Sequence, residues 1–443
     1  MKKLFVSAGL VALGTAALHA DTTYAPDITS ADASKIWSVS GTLRGFYDDN
    51  YSTSHSDATG KRASFGFEFS PQASIIVPLQ QTELGLRYTY GLYYYQDRQN
   101  LGQNPIDQSH QVDLWIDHAF SERWETRVMD TFVDAQNPQL TSAPTALPYR
   151  VTGNNLQNVG TVTVHTEWSV LFNTDLGYQN TWYDYTEHGA TTSNFQGATY
   201  AGLLNQLAHS LWLNLNYQYL PDLSFQVGDQ FGLVNYTGNE PVAQFIQGGF
   251  IIPGVFYMSN SRDQWNDSLY IGGQYSATET LSLSAQVGAE YVDTYNLPSF
   301  DHQSDTQIQP YASLALTYTY LPGDYAQLGL TQSVSPTQVA TPDSSSGNLT
   351  LYQETSVVYA SINHQITPYL LGSISGRYQY STYQGGQFDG GSQNWYTLGL
   401  NLTYNINQYL SAEVGYSFDY FEAGNSAPSY TRNREYIGLT ATY

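Results

Sequence analysis

The residues with the clearest chemical potential are charged side chains within segments that otherwise alternate between apolar and uncharged polar residues. Each one occupies the polar phase of its segment, so it would project to the polar side if that segment were a β-strand. Charges gathered on one face can attract, pass or reject ions. The candidates are Arg44, Glu68, Arg87, Asp113, Asp117, Glu125, Arg127, Arg377, Glu413 and Asp419.

The sequence gives little support to catalytic or cofactor chemistry. It has no Cys, which excludes a thiol nucleophile and a Cys-ligated zinc site. It contains no phosphate-binding loop or glycine-rich strand-to-helix turn. His209 and Ser210 are neighbours, so they would project to opposite faces of a strand and could not form a catalytic dyad together. We therefore predict no enzyme activity, catalytic residue, metal site or cofactor.

The composition narrows the class of protein further. The chain has 443 residues, a formal net charge of −23 and 39 Tyr, yet only 12% of its residues are charged. Soluble domains carry about 25% charged residues, and acidic disordered chains carry few aromatic ones. The acidic balance also argues against nucleic acid as a partner, because phosphate binding needs a basic surface.

The N-terminal residues 1–20 have the pattern of a signal peptide. Lys2 and Lys3 precede an apolar stretch from Leu4 to Leu18, and Ala20 is a plausible cleavage residue. We expect the mature chain to begin at Asp21 with a short periplasmic lead over residues 21–35. This lead is too short for a plug domain, and residues 36–443 are expected to form one β domain.

The mature chain repeatedly alternates between apolar and polar residues. Phe65, Phe67 and Phe69 form one apolar row, and Leu398, Leu400 and Leu402 form another. Alternation of this kind predicts β-strands with one apolar and one polar face. Strand pairs are separated by tight turns, which we place at Pro78–Gln81, Ser121–Arg123, Asn173–Asp175, Pro221–Asp222, Ala277–Thr280, Leu321–Asp324, Gln365–Pro368 and Asn405–Asn407.

Longer polar loops separate these hairpins, for example at residues 49–62, 133–157, 186–206, 236–266 and 336–350. Eight hairpins, a first strand near 37–48 and a last strand near 433–443 predict about 18 strands, with 16 as the alternative. In lipid a sheet must close so that every backbone group is paired. We therefore predict an all-β, antiparallel, up-and-down transmembrane barrel with short periplasmic turns and long extracellular loops.

The C-terminal residues EYIGLTATY alternate up to a terminal aromatic residue, Tyr443. This ending resembles the last strand of bacterial outer-membrane porins, and the whole mature chain is similar in architecture to the "putative β-barrel porin" type. The resemblance implies a Gram-negative outer membrane, and recognition of the strand ending at Tyr443 by the barrel assembly machinery. It also implies contact with outer-membrane lipids and lipopolysaccharide, with small polar solutes, and with a second copy of the chain as a further candidate.

A barrel of 16–18 strands encloses an aqueous channel. The candidate charges lie on predicted strands 1 to 5 and 15 to 17, which become one wall when the barrel closes. The opposite wall offers mainly uncharged residues such as Asn214, Gln226 and Gln309. One interpretation is a transverse field that gives weak cation preference or little selectivity. The other is that these charges only neutralise one another, and the sequence does not decide between them.

The segment 236–266 is unusually apolar for a loop. Phe245, Phe250, Ile252 and Phe256 could form a constriction if this loop folds into the barrel. Alternatively, the loop packs on other loops or on a neighbouring subunit, which is the interpretation we favour.

Together these patterns predict ion transport and passive diffusion of small polar solutes through the barrel. A polysaccharide-export barrel and a structural or adhesive surface barrel without an open pore remain alternatives.

Overall fold

The computed structural model describes residues 35–55, 60–136, 153–186, 199–301, 306–337, 340–424 and 429–443. The predicted signal peptide, nearly all of the N-terminal lead and much of the predicted loops 133–157 and 186–206 lie outside the described residues. The described chain is almost entirely β-structure, with short helices α1 (Gln96–Asn100) and α2 (Tyr200–Leu204). A short 3₁₀ turn, Ser259–Arg262, precedes β12.

The strands are β1 (Trp37–Asp48), β2 (Ser64–Pro78), β3 (Thr82–Tyr95), β4 (Ile106–Ser121), β5 (Trp124–Gln136), β6 (Asn154–Glu167), β7 (Phe172–Tyr185), β8 (Gln206–Leu220), β9 (Leu223–Tyr236), β10 (Pro241–Gln247), β11 (Phe250–Met258), β12 (Gln264–Ser276), β13 (Leu281–Thr294), β14 (Thr306–Leu321), β15 (Asp324–Pro336), β16 (Tyr352–Thr367), β17 (Leu370–Gln384), β18 (Ser392–Asn407), β19 (Leu410–Glu422) and β20 (Tyr430–Thr442).

Eighteen of these strands form one closed antiparallel sheet. Each pairs with its neighbours along the chain, β9 pairs with β12, and β20 pairs with β1 to complete the circle. β10 and β11 pair only with each other and form a separate hairpin in the described structure. Closure pairs the edges that an open sheet would expose, which is what a β-structure in lipid requires. The predicted barrel of 18 strands is confirmed.

Most predicted turns coincide with the observed ones, but the turn at Asn173–Asp175 is wrong. Those residues belong to β7, and the chain turns at 168–171. The Ser169 hydroxyl accepts hydrogen bonds from the backbone N–H groups of Leu171 (3.3 Å) and Phe172 (3.1 Å), which stabilises this turn. The flanking Trp168 and Val170 are apolar, so the turn lacks the polar composition on which sequence recognition relies.

The outer face of the barrel is apolar over most of its circumference. The leucines of the row Leu398, Leu400 and Leu402 on β18 are all exposed, as are Phe65, Phe67 and Phe69 on β2. Aromatic residues lie near the strand ends, including Trp37, Trp124 and Tyr404. An apolar band flanked by aromatic residues matches the environment of a bilayer. Separately, no helix among the described residues is long and apolar enough to span a membrane.

Inside the barrel, aromatic rings lie over glycines of the neighbouring strand. Five such rings occur about halfway along their strands: Trp115 over Gly85, Trp212 over Gly177, Tyr270 over Gly228, Tyr359 over Gly329, and Tyr436 over Gly415. A Cβ added at any of these glycines would lie within 2.2 Å of the ring. Each glycine therefore provides the space that lets a large ring lie flat against the wall, and the ring covers the backbone that the glycine leaves bare.

Candidate functional site

The inner wall at the closure of the barrel holds a network of ion pairs. The Arg44 guanidinium donates through Nη1 to Glu68 Oε1 at 2.9 Å and through Nε to Glu413 Oε1 at 2.6 Å. Arg434 donates to the second Glu68 oxygen at 3.1 Å. Because β1 pairs with both β2 and β20, these residues from the two ends of the chain share one wall. We call Arg44, Glu68, Glu413 and Arg434 the closure network.

The closure network is shielded from water. The Glu68 side chain is only 2% exposed, and the guanidinium groups of Arg44 and Arg434 lie over the rings of Tyr436 and Phe46. Charge-assisted hydrogen bonds in such surroundings are strong, and removing one partner leaves a buried charge uncompensated. The network therefore contributes more to barrel closure than to the net charge of the lumen.

A second set of charges lies on β3, β4 and β5. Arg87 Nε donates to Asp113 Oδ2 at 2.8 Å, and Arg127 pairs with Asp117. These pairs are more open than the closure network, since the side chains of Arg87 and Arg127 are 38% and 54% exposed. Glu125 is also exposed on the inner face, where it is paired in register with His165. Solvent therefore reaches charged groups on this part of the wall.

Arg377 and Asp419 complete the set of charged residues predicted from the sequence. The Arg377 guanidinium lies over the Trp395 ring at 5.1 Å and donates to Gln379. Asp419 is paired in register with Arg432 on β20. The structure thus places all ten predicted residues on the inner face. Eight of them form an ion pair, are paired in register with an Arg, or do both.

Sequence reasoning missed several charged residues of the same wall. Arg432 pairs with Asp48 at 2.6 Å, and Arg98 of α1 pairs with Asp107 at 2.6 Å. Arg432 and Arg434 occupy the phase opposite to the apolar row Ile437, Leu439 and Ala441, so the alternation of the last strand contained the signal. Asp48 lies four residues after Arg44 on β1, so the same alternation places its side chain on the inner face.

The opposite wall carries hydrogen bonds between uncharged side chains. Tyr270 donates to Asn214 at 2.7 Å, and Gln286 donates to Gln226 at 2.7 Å. Glu290 accepts from Asn266 at 2.7 Å and from the backbone N–H of Val334 at 2.9 Å. The lumen is therefore asymmetric, with paired charges on one side and mainly amide and phenol groups on the other.

The apolar segment predicted as loop 236–266 is instead mainly the hairpin β10–β11, and it packs on other loops. Phe245 and Tyr257 are buried, and Ile252 is partly buried against the same cluster. Phe250 and Phe256 are exposed. We call the buried apolar group at the loop end the mouth cluster: Tyr185, Ala201, Leu203, Leu204, Val242, Ala243, Phe245, Tyr257, Val292, Ala340, Leu349, Leu351 and Tyr352.

Polar contacts also hold the mouth cluster together. The Tyr257 hydroxyl lies 3.0 Å from Asp301 Oδ2 and 2.6 Å from the carbonyl oxygen of Gly347. Burial and the Asp301 carboxylate raise the pKa of Tyr257 well above its usual value. The backbone N–H of Gly249 donates to the carbonyl oxygen of Ser344 at 2.8 Å. The hairpin tip is thus tied to the loop that joins β15 and β16.

The mouth cluster joins strands that are not neighbours in the sheet. A small cavity is lined by residues of β7, α2, β8, β9 and the end of β15: Tyr183, Leu203, Leu204, Gln206, Tyr236, Pro336 and Thr337. β9 and β15 are separated by β12, β13 and β14. The loops of this sector therefore gather over one side of the barrel end.

Within the described residues, no group of three or more His, Asp or Glu side chains could hold a metal ion.

Residues 316–443 match the family model described as "Putative beta-barrel porin 2". The matched residues run from β14 to the end of the chain and include the strand that closes the 18-stranded sheet. The chain is an outer-membrane β-barrel. It is porin-like in its closed sheet, its apolar outer band and this match.

Solved structures of other outer-membrane barrels are similar to this barrel at low sequence identity. OccAB4 from Acinetobacter baumannii is 10% identical, with 92% of this chain and 99% of that chain covered and a TM-score of 0.44. The Pseudomonas aeruginosa outer membrane protein OpdK is 9% identical, with 92% and 99% covered and a TM-score of 0.43. The ferric enterobactin receptor PfeA of P. aeruginosa is 12% identical, with 91% and 80% covered and a TM-score of 0.43. No curated protein sequence matches the chain.

Proposed function

We propose that this outer-membrane barrel is a channel for passive diffusion of small polar solutes and ions, with weak cation preference or little selectivity. The observation that carries the proposal is the inner wall of an 18-stranded barrel, where charged side chains such as Arg87 and Arg127 remain open to solvent. Barrels of this strand number are wide enough to enclose water.

The arrangement of charges supports weak selectivity. Arg44, Glu68, Glu413 and Arg434 neutralise one another within the closure network, so they add little field to the lumen. Nearer the turn end, Glu83 and Glu125 are exposed on the inner face. Exposed carboxylates in a channel favour cations. The preference is expected to be small because Arg127 lies in the same region.

Single-channel recording in a planar bilayer with a salt gradient tests the proposal. Folded wild-type protein should give stable conductance steps and a reversal potential near zero or mildly cation-selective. The double variant Glu83→Gln/Glu125→Gln should shift the reversal potential toward anions. Glu279→Gln removes one carboxylate from a tight turn at the same end and should leave selectivity unchanged.

Two results would contradict the proposal. One is a reversal potential that clearly indicates anion preference in the wild type. The other is absence of conductance from protein shown to be folded by its heat-dependent migration in gels. Such silence would favour a structural or adhesive barrel, in which the mouth cluster closes the pore.

A barrel that exports a neutral polysaccharide is a second candidate, supported by the aromatic rings on the inner wall. Trp115, Tyr359 and Tyr436 are partly exposed there, and a flat aromatic ring can stack on a sugar ring. The same recordings distinguish this function, because neutral oligosaccharides should then block the current at low concentration. Tyr359→Ala should weaken that block. If the channel only passes small solutes by diffusion, no specific block is expected.

A further inference from the structure

One sector of the outer face departs from the apolar pattern of the remaining wall. Across six adjacent strands, from β5 to β9 and on to β12, polar side chains interrupt the apolar rows. We call these residues the outer seam: Asp130, Asn158, Asn180, His209, Asp229 and Asp267. Asp130 and Asp229 lie at the middle of their strands. Charged groups at this depth are costly when they face lipid.

The register shows that the seam faces outward. Asp229 is paired directly with Leu213 on β8 and with Leu269 on β12, and both leucines are exposed on the lipid-facing side. Residues paired directly across an antiparallel sheet project to the same face. Asp267 is likewise paired with the exposed Phe231, and Asp130 is paired with the exposed Leu114.

The seam residues also interact with one another. Asn158 Nδ2 donates to both oxygens of Asp130, at 3.0 and 3.1 Å. Asp229 and Asp267 lie on the paired strands β9 and β12, two positions apart in register, so their carboxyl groups are neighbours on this surface.

The Tyr178 hydroxyl lies 2.8 Å from His209 Nδ1. When Tyr178 donates this bond, the imidazole proton lies on Nε2, which becomes a donor. The seam therefore carries hydrogen-bond donors on β6 to β8 and carboxyl groups on β9 and β12.

Polar side chains are concentrated in this sector. Elsewhere at a similar depth the outward rows carry single polar residues, such as Glu435 on β20 and Gln332 on β15. On β18, across the barrel, the middle of the outward row is Leu398, Leu400 and Leu402. Lipid surrounds a lone barrel evenly, so it gives no reason for one polar sector. A contact with protein does, because polar side chains in a bilayer can be satisfied across a protein interface.

We propose that the outer seam is the contact surface between copies of this chain. Copies inserted in one membrane share the same orientation, so each presents its seam at the same depth. The seam is self-complementary, since donors of one copy can face the carboxyl groups of the next. Lipopolysaccharide is a poorer occupant, because at mid-strand depth it presents mainly acyl chains, which give Asp229 no hydrogen-bonding partner. This inference does not depend on whether the barrel conducts ions.

Cysteine cross-linking in intact outer membranes tests the contact. The chain has no Cys, so one introduced thiol reports a single position. Leu213→Cys lies in the seam sector, and Leu400→Cys is a control of matched exposure, since the two leucines are 40% and 38% exposed. Oxidation should give a cross-linked dimer for Leu213→Cys at a yield several-fold above the control. Equal yields, or no cross-link at Leu213→Cys, would overturn the proposal.

Native mass spectrometry of the detergent-extracted protein provides the second test. The wild type should be oligomeric, and Asp229→Leu/Asp267→Leu should be mainly monomeric while still migrating as a folded barrel. Ile374→Leu on the opposite face is a control that should stay oligomeric. A monomeric wild type, with or without bound lipopolysaccharide, would overturn the inference. A double leucine variant that keeps the wild-type assembly would do the same.

Discussion

Arg44 on the first strand and Glu413 on β19 form an ion pair that crosses over a third strand. Both residues are paired in register with Gly438 of β20, one from each side. The Arg44 Nε to Glu413 Oε1 distance is 2.6 Å. A Cβ at position 438 would lie 2.7 Å from Arg44 Cγ and 3.0 Å from Glu413 Oε1. The ion pair therefore depends on a position without a side chain in the last strand.

Replacing Arg44 should test the energetic role of the closure network. Arg44→Met leaves Glu68 and Glu413 buried without this guanidinium, so we expect the free energy of unfolding to fall by about 3 kcal/mol. Denaturant unfolding followed by Trp fluorescence measures the change. Arg127→Met breaks the exposed pair with Asp117 and should cost less than about 1 kcal/mol. Equal losses in the two variants would refute the distinction between buried and exposed pairs.

Replacing Gly438 should damage the same network through steric conflict. Gly438→Ala brings its Cβ against Arg44, Glu413 and the carbonyl oxygen of Leu43, and we expect a loss of about 1–3 kcal/mol. Gly45→Ala on β1 is the matched control, because its Cβ would meet no described atom within 4 Å. The measurement is the denaturant midpoint of each folded variant. A control that loses as much as Gly438→Ala would point to a general effect of glycine replacement.

The mouth cluster should depend on buried Phe245 and not on exposed Phe250. Phe245→Ala removes a ring that packs on Tyr257 and Phe300, so we expect local destabilisation of the loops by about 3 kcal/mol. Limited proteolysis of the folded barrel should then cut faster within residues 240–258. Phe250 is 76% exposed, and Phe250→Ala should leave the rate unchanged. Similar rates in the two variants would show that the hairpin is not anchored by its buried ring.

The loop that joins β15 and β16 should lose order in acid. Asp343 Oδ1 accepts from the hydroxyl groups of Ser345 and Ser346 and from their backbone N–H groups, which holds the pKa of Asp343 well below its usual range. A lowered pKa in the folded state stabilises the loop at pH values above about 4, and this contribution declines as the pH falls further.

Hydrogen–deuterium exchange of a peptide covering residues 340–351 measures this effect, after correction for the intrinsic pH dependence of exchange. Protection should fall as the pH is lowered below about 4 in the wild type. Asp343→Asn should already be less protected at pH 7. Protection that is identical in the two proteins at pH 7 would rule out this role for the carboxylate.

The architecture could be predicted from the sequence because its signals are local. Alternation fixes which face of a strand is apolar, and turn residues fix where most strands end, so β1 was predicted at its observed bounds. The hairpin β10–β11 was predicted as a loop because Phe250, Ile251 and Ile252 follow one another without alternation. Its regular structure arises from packing against α2 and the loop after β15, which a local pattern does not contain.

The contacts within the site were harder to predict than its members. The phase of each strand places Arg44, Glu68 and Glu413 on one face, but their pairing depends on the exact register of β20 against β1. The outer seam escaped notice for a related reason. Asp130, Asp229 and Asp267 fall in the apolar phase of their strands, and only the paired leucines and aromatic residues reveal which way they face.

The mouth cluster, which limits entry, is built mainly by segments of the chain that do not form the barrel wall. Its side chains belong mostly to α2, the β10–β11 hairpin and the loop after β15, and those segments lie outside the closed sheet. Substitutions there can reshape the entrance while strand pairing, and hence insertion into the membrane, stays as it is. The same barrel could thus be adapted to a different solute, or rebuilt as a sensor of chosen aperture, by exchanging loops alone.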